Sequence, residues 1–349
     1  MVNGMIGPAP LVPAHLARDH PLVTRDYSLV TRDYSLYTPP IQRMVDQLAS
    51  WIDNQVEGAT IYGPSRFGKS SAVDHWVQTL LSQRYGNALP MVVWSHTDAG
   101  GANAVGRFYA CLLHASKHPL AKAARSPLNR QHMLIERWHS LALRGGGRFL
   151  ILMIDEAQGM TQREWLWLVE LHSLLEKERL RLCVFSVASL QFFDEPMGLA
   201  MVGGAHVAAR FMLASERFHG IDGSGELTSV MAGYDEGTEW PARSGKSFTE
   251  GVAPEAWLQG FRLEDHAAAL HRALVAGLPP NYAGPLEFPM KTVAHCCRNI
   301  LLRISGGADW RDVISHENLL GIVADSGHRQ LLALVTATAH LVKWSTSRQ

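Results

Sequence analysis

Eight consecutive residues, Gly63-Pro64-Ser65-Arg66-Phe67-Gly68-Lys69-Ser70, constrain this chain more than any other stretch. They spell G-x-x-x-x-G-K-[ST] between an apolar run ending at Thr60 to Tyr62 and a helical pattern over Ser70 to Gln83. In that context the motif builds a phosphate-binding loop. The residue types follow from the task. Gly63 and Gly68 let the backbone curl until its N–H groups point at phosphate oxygens, and the helix N-terminus adds partial positive charge. Lys69 reaches the β- and γ-phosphates and the Ser70 hydroxyl is a ligand for Mg²⁺, while Pro64, Ser65, Arg66, Phe67 and Ser71 complete the cradle. ATP and Mg²⁺ are the expected cofactors.

Such a loop belongs at the end of a strand in a parallel sheet, and the flanking pattern agrees. Apolar runs at Pro90 to Ser95, Phe149 to Ile154 and Leu180 to Ala188 alternate with helical patterns at Asn103 to His118, Asn129 to Leu143 and Glu164 to Lys177. That alternation is the mark of an α/β fold with a parallel central sheet. After Asp222 the character changes, and helices at Leu263 to Ala276, Pro289 to Ile304 and His328 to Val342 dominate. The expected organisation is an N-terminal arm over 1–40, an α/β nucleotide-binding core over 41–222 and a helical lid over 223–349. The arm carries four prolines (Pro8, Pro10, Pro13, Pro21) and a tandem VTRDYSL unit, Val23 to Leu29 and Val30 to Leu36. Two copies are too few for a solenoid.

Hydrolysis needs carboxylates as well as a phosphate cradle. The apolar run Phe149 to Ile154 ends in Asp155-Glu156, about where ligands bind in open parallel sheets. Asp155 is the candidate for the metal shell and Glu156 for polarising the attacking water. The next run closes in Ser189-Leu190-Gln191, with Ser189 a candidate for orienting that water and Ser186 and Gln191 as competitors. Arg210 and Arg217 are both candidates for an arginine supplied to a neighbour's γ-phosphate. Trp165 and Trp167 read as packing.

Lys+Arg and Asp+Glu both number 32, so no global field steers a partner. The balance is uneven, however. Between Ala99 and Arg148 eight Lys/Arg residues face the single acid Glu136, a net of +7 in fifty residues. Lys117, Lys122, Arg125 and Arg130 within it are candidates for phosphate-backbone contacts to DNA, which are sequence-independent and salt-sensitive. The alternative is a solvated helical face. Four cysteines without a CxxC spacing argue against a zinc site or disulfide framework. The longest strongly apolar run is too short to span a bilayer, so a cytoplasmic protein with no membrane partner is expected.

GPSRFGKS, LMIDEAQ, a strand closing in ASLQ, and AARF together resemble the AAA+ ATPases that regulate DNA transposition, the TnsC and TniB group and more distantly MuB. The resemblance covers roughly Ile41 to Gly220, with a weaker echo in His295 to Gly307. It implies an AAA+ core with a small C-terminal helical lid that assembles on double-stranded DNA as an ATP-dependent homo-oligomer, a ring or helical filament. It also implies a transposase and a target-selection protein as partners, with slow, regulatory ATP hydrolysis. By the same resemblance Ser189 is the first sensor, Arg210 the arginine finger and Arg298 a second sensor touching nucleotide. A remodeller or helicase-loader-type ATPase acting on a protein substrate is the alternative reading.

Overall fold

The computed structural model describes residues 35–86, 89–97, 104–190, 195–241 and 243–346. The tandem VTRDYSL unit except Ser35 and Leu36, and the sensor competitor Gln191, lie outside the described residues. The chain divides into two compact units, an α/β unit around Ile41–Phe218 and a helical unit around His219–Ala337. Among the described residues no helix is long and apolar enough to cross a membrane.

Five strands build the α/β unit: β1 (Gly58–Tyr62), β2 (Met91–Ser95), β3 (Phe149–Asp155), β4 (Arg181–Ala188) and β5 (Ala214–Arg217). They lie in the order β2-β3-β4-β1-β5, every pair parallel. This is the α/β parallel sheet that the alternating pattern anticipated. The central strands are buried from Leu150 to Asp155 and from Leu182 to Ala188. Helices cover both faces of such a sheet, which is why its inner strands read as unbroken apolar runs rather than alternating ones. At the edge, β5 is four residues of Ala-Ser-Glu-Arg, short and charged in the manner that discourages edge-to-edge pairing. It carries no apolar signal by which a sequence could mark it as a strand.

The covering helices start where their caps say they should. Thr161 and Glu164 form a reciprocal capping box that opens helix Gln162–Lys177. Ser126 caps helix Pro127–Arg144, with Pro127 in the first turn, where its missing N–H costs nothing. Their inner faces deliver Trp138, Trp165, Leu134, Leu168 and Leu171 to the core at 0% exposure. Each buried side chain of this size contributes about 1.5–3 kcal/mol relative to exposure. Trp165 and Trp167 are packing residues as expected, Trp167 resting against Phe108 with ring centroids 5.7 Å apart.

The helical unit holds more helix than expected, with Gly223–Asp235, Phe248–Val252, Pro254–Leu258, Trp310–Val313 and His316–Asp325 beyond the three expected helices. Gly223–Asp235, a stretch that looks too rich in Gly and Ser, is a helix. Leu227, Val230, Met231 and Tyr234 recur at helical spacing and all are fully buried. Burying that stripe outweighs the poor propensity of its glycines and serines. Cys296 and Cys297, adjacent and both fully buried on helix Met290–Ser305, are core residues, and burial pushes the Cys296 thiol up to about 12.

Candidate nucleotide-binding site

The phosphate loop leaves the C-terminal end of β1 and re-enters helix at Lys69. Two backbone features shape it. A Cβ on Gly63 would come within 2.7 Å of the Phe218 carbonyl oxygen, so only glycine lets the loop lie against the chain leaving β5. Gly68 sits at φ 111°, a conformation that L side chains avoid, and Arg66 before it is also left-handed. The apolar Phe67 is 2% exposed and pins the loop from beneath, while Ser65 and Arg66 face solvent.

Lys69 points back over the loop, its Nζ donating to the carbonyl oxygens of Gly63 and Pro64 at 2.8 Å each. Burial lowers its pKa to about 8, against the raising influence of Glu156 and Asp155. Asp155 closes β3 at 5% exposure and accepts a hydrogen bond from the Ser70 hydroxyl. Burial raises its pKa, while the Ser70 hydroxyl and the Glu156 backbone N–H act in the opposite direction. The two residues named for Mg²⁺ therefore touch each other. One hydroxyl and one carboxylate suit a cation that draws its remaining ligands from phosphate and water. Among the described residues no cluster of three or more His, Cys, Asp or Glu could hold a metal without such help.

Glu156 is the first residue beyond β3, left-handed at φ 56° and exposed. A 3₁₀ turn, Ala157–Gly159, carries Gln158 back so that its Nε2 donates to the Glu156 carboxylate. The Gln158 Oε1 in turn accepts from the Ser189 backbone N–H at 3.0 Å. Because β4 lies between β3 and β1, Ser189 at its end stands between the acidic pair and the phosphate loop. Sequence reading assigned Gln158 no role. Its only signal was its place in the DEAQ run.

No protein-family model matches the chain, and no curated protein matches it. Solved structures do. The Aeropyrum pernix ORC2 protein in its ADPNP-ADP complexes is 13% identical, over 86% of this chain and 72% of that one, with a TM-score of 0.57. The Aeropyrum pernix ORC1 protein in complex with DNA is 14% identical over 86% and 69%, with a TM-score of 0.50. What is shared with these two proteins is the fold, a five-stranded parallel sheet with its helices.

The fold is AAA+.

Within this AAA+ core the remaining sequence candidates separate. Arg210, on helix Ala205–Phe211, holds Glu57 at 3.5 Å and donates to the Ser173 hydroxyl at 3.1 Å. Glu57 precedes the first residue of β1, so Arg210 sits at the opposite end of that strand from Lys69 and takes no part in its own protomer's phosphate loop. Arg217 closes β5 in register with Tyr62, at the loop edge. Arg298 belongs to the helical unit, its guanidinium 3.4 Å from His295 Nδ1. In the basic stretch, Lys117, Lys122 and Arg125 are exposed on the connection between helices Val105–Ala115 and Pro127–Arg144. Arg130 is employed differently, donating to the carbonyls of Gly106 at 2.8 Å and Ala123 at 3.4 Å, which shapes that connection.

Proposed function

We propose that this chain is an ATP-dependent, DNA-binding AAA+ regulator of DNA transposition, one that assembles on duplex target DNA and recruits or activates a transposase. The convergence of Lys69, Ser70 and Asp155 at the C-terminal ends of the sheet strands supports the ATP-dependent part of this reading, and the transposition part rests on the sequence resemblance. Gly63 to Ser71 hold ATP, Ser70 and Asp155 hold Mg²⁺, and Glu156 takes the proton from the attacking water. Mg²⁺ supplies charge neutralisation at the β- and γ-phosphates when bound. Lys69 meets the same charge from the protein side, and Ser189 orients the water. Arg210 acts on the neighbouring subunit's nucleotide, which makes a cytoplasmic homo-oligomer, a ring or filament, dependent on ATP; Arg298 serves from the lid over 223–349.

Lys117, Lys122 and Arg125 face the phosphate backbone, with Arg130 holding the loop that presents them. A target-selection protein completes the set of partners. The AAA+ neighbour solved in complex with DNA supports a DNA-associated role. The second reading, a remodeller or helicase-loader-type ATPase acting on a protein substrate, shares the phosphate site and differs in its partner. Duplex-DNA affinity measured across a salt series, with and without ATP, separates them. The DNA reading expects log K to fall steeply with log salt, and replacing Lys117, Lys122 and Arg125 by alanine to reduce the slope by about 0.9 for each phosphate no longer neutralised. An unchanged slope and affinity would leave an AAA+ ATPase without this DNA surface.

A further inference from the structure

The end of β3 raises a mechanical question. A base that polarises water has to hold its carboxylate in one place, and Glu156 is exposed on a left-handed residue just beyond the strand, where rotamer freedom is greatest. Packing does not fix it. What touches it is Gln158, whose amide uses both of its ends: Nε2 donates to Glu156 Oε2, and Oε1 accepts from the Ser189 N–H at 3.0 Å.

The turn that presents Gln158 is itself immobilised. Ala157 is fully buried, and the Gly159 N–H donates to the Glu156 carbonyl at 2.9 Å. A Cβ on Gly159 would come within 2.8 Å of His96 Nδ1, so the turn lies flat on that ring. His96 is fixed from two sides, by its backbone N–H to the Asp155 carbonyl at 2.9 Å and by Glu164 at 3.3 Å. Glu164 is the same residue that completes the capping box with Thr161. The chain of interactions thus runs from a rigid helix start, through a buried histidine and a packed turn, to one exposed amide.

We propose that Gln158 is a positioning residue for hydrolysis, holding Glu156 by one carboxylate oxygen and tying it to the Ser189 end of β4. The inference rests on the reading of Glu156 as the base for ATP hydrolysis. With Oε2 engaged, Oε1 is the oxygen left to accept a proton from water. The amide is the group the arrangement requires: glutamate lacks the donor, asparagine lacks the reach, and alanine lacks both ends. Because the other end of the amide is bonded to the Ser189 backbone, any shift of that strand end moves Glu156 with it.

Steady-state ATPase assays on the full chain with duplex DNA and Mg²⁺ test this, paired with the affinity of a fluorescent ADP. Gln158→Ala is expected to lower kcat roughly 10- to 100-fold, the scale of loss when a reacting group is displaced by about 1 Å. ADP affinity should stay within about threefold, because Gln158 touches no part of the phosphate loop. Gln158→Glu keeps the acceptor but lacks the amide donor to Glu156, so its kcat should fall as far as that of Gln158→Ala rather than being rescued. A fall in kcat with ADP affinity unchanged, not rescued by glutamate, is what a purely structural residue would not produce. A Gln158→Ala chain with kcat within about twofold of the unmutated one, while Glu156→Gln is inactive, overturns the positioning role and leaves the ATPase reading standing. If Glu156→Gln hydrolyses ATP as fast as the unmutated chain, the reading of the base fails and the Gln158 role falls with it.

Discussion

Lys69 illustrates how one buried charge ties binding to pH. Its pKa of about 8 reflects desolvation that Asp155 and Glu156 only partly offset. A bound polyphosphate favours the protonated amine and raises that value, so binding and protonation are linked. The sign follows: affinity is fully present below about 8 and declines as pH climbs through it. Calorimetric titration with ADP should find binding roughly tenfold weaker at pH 9 than at pH 7, with uptake of about one proton at pH 9. Equal affinity at both pH values, without proton uptake, would contradict the assigned environment. The residues of this loop were legible because the motif prescribes each type: glycine for the backbone curl at Gly63 and Gly68, lysine for the cation folded over the loop, serine for the hydroxyl that meets Asp155. Gln158 was not, because an amide's partners are set by which turn and which strand end reach it in space.

At the scale of elements, burial decides more than propensity. Helix Gly223–Asp235 forms because four apolar side chains share a face, a pattern present in the sequence beneath a loop-like composition. Helix His328–Thr346 opens on a histidine that is fully buried, its Nε2 3.1 Å from the Leu274 carbonyl. Burial lowers the His328 pKa to about 4, with that carbonyl bond acting the other way. A folded-state value below the unfolded one means that the unfolded chain binds more protons in between. Stability therefore falls as pH drops from about 6.5 towards 4. Between pH 7 and pH 5 the stability given up is about 2 kcal/mol. Denaturant unfolding of His328→Gln beside the unmutated chain should show a shallower decline for the variant; parallel declines would remove His328 from the account.

For the whole molecule, the end of the strands at which each charge falls governs what it can do. Arg210 and Lys69 stand at opposite ends of β1, so an arginine finger at Arg210 has meaning only between subunits. Arg210→Ala is expected to abolish the large assemblies formed with ATP and duplex DNA, measured by light scattering, while a single chain still binds ADP. Assemblies of undiminished size would shift the role to Arg217, which ends β5 at the loop edge. Arg130 makes a related point about the basic stretch. Its charge counts towards the +7 read from the sequence, yet its guanidinium is occupied by two backbone carbonyls.

Local order along the chain was enough to place the phosphate loop, the acidic strand end, the α/β alternation and the packing of Trp165 and Trp167. Each of those depends on residues adjacent in sequence or repeating at a fixed period, and short-range sterics and burial act on such patterns directly. The strand order that sets Ser189 between Asp155 and the loop, the charged edge strand β5, the amide link from Glu156 to Ser189 and the separate employment of Arg130 came only with the folded chain. They depend on approaches between residues tens of positions apart, and those distances do not exist until the core has closed.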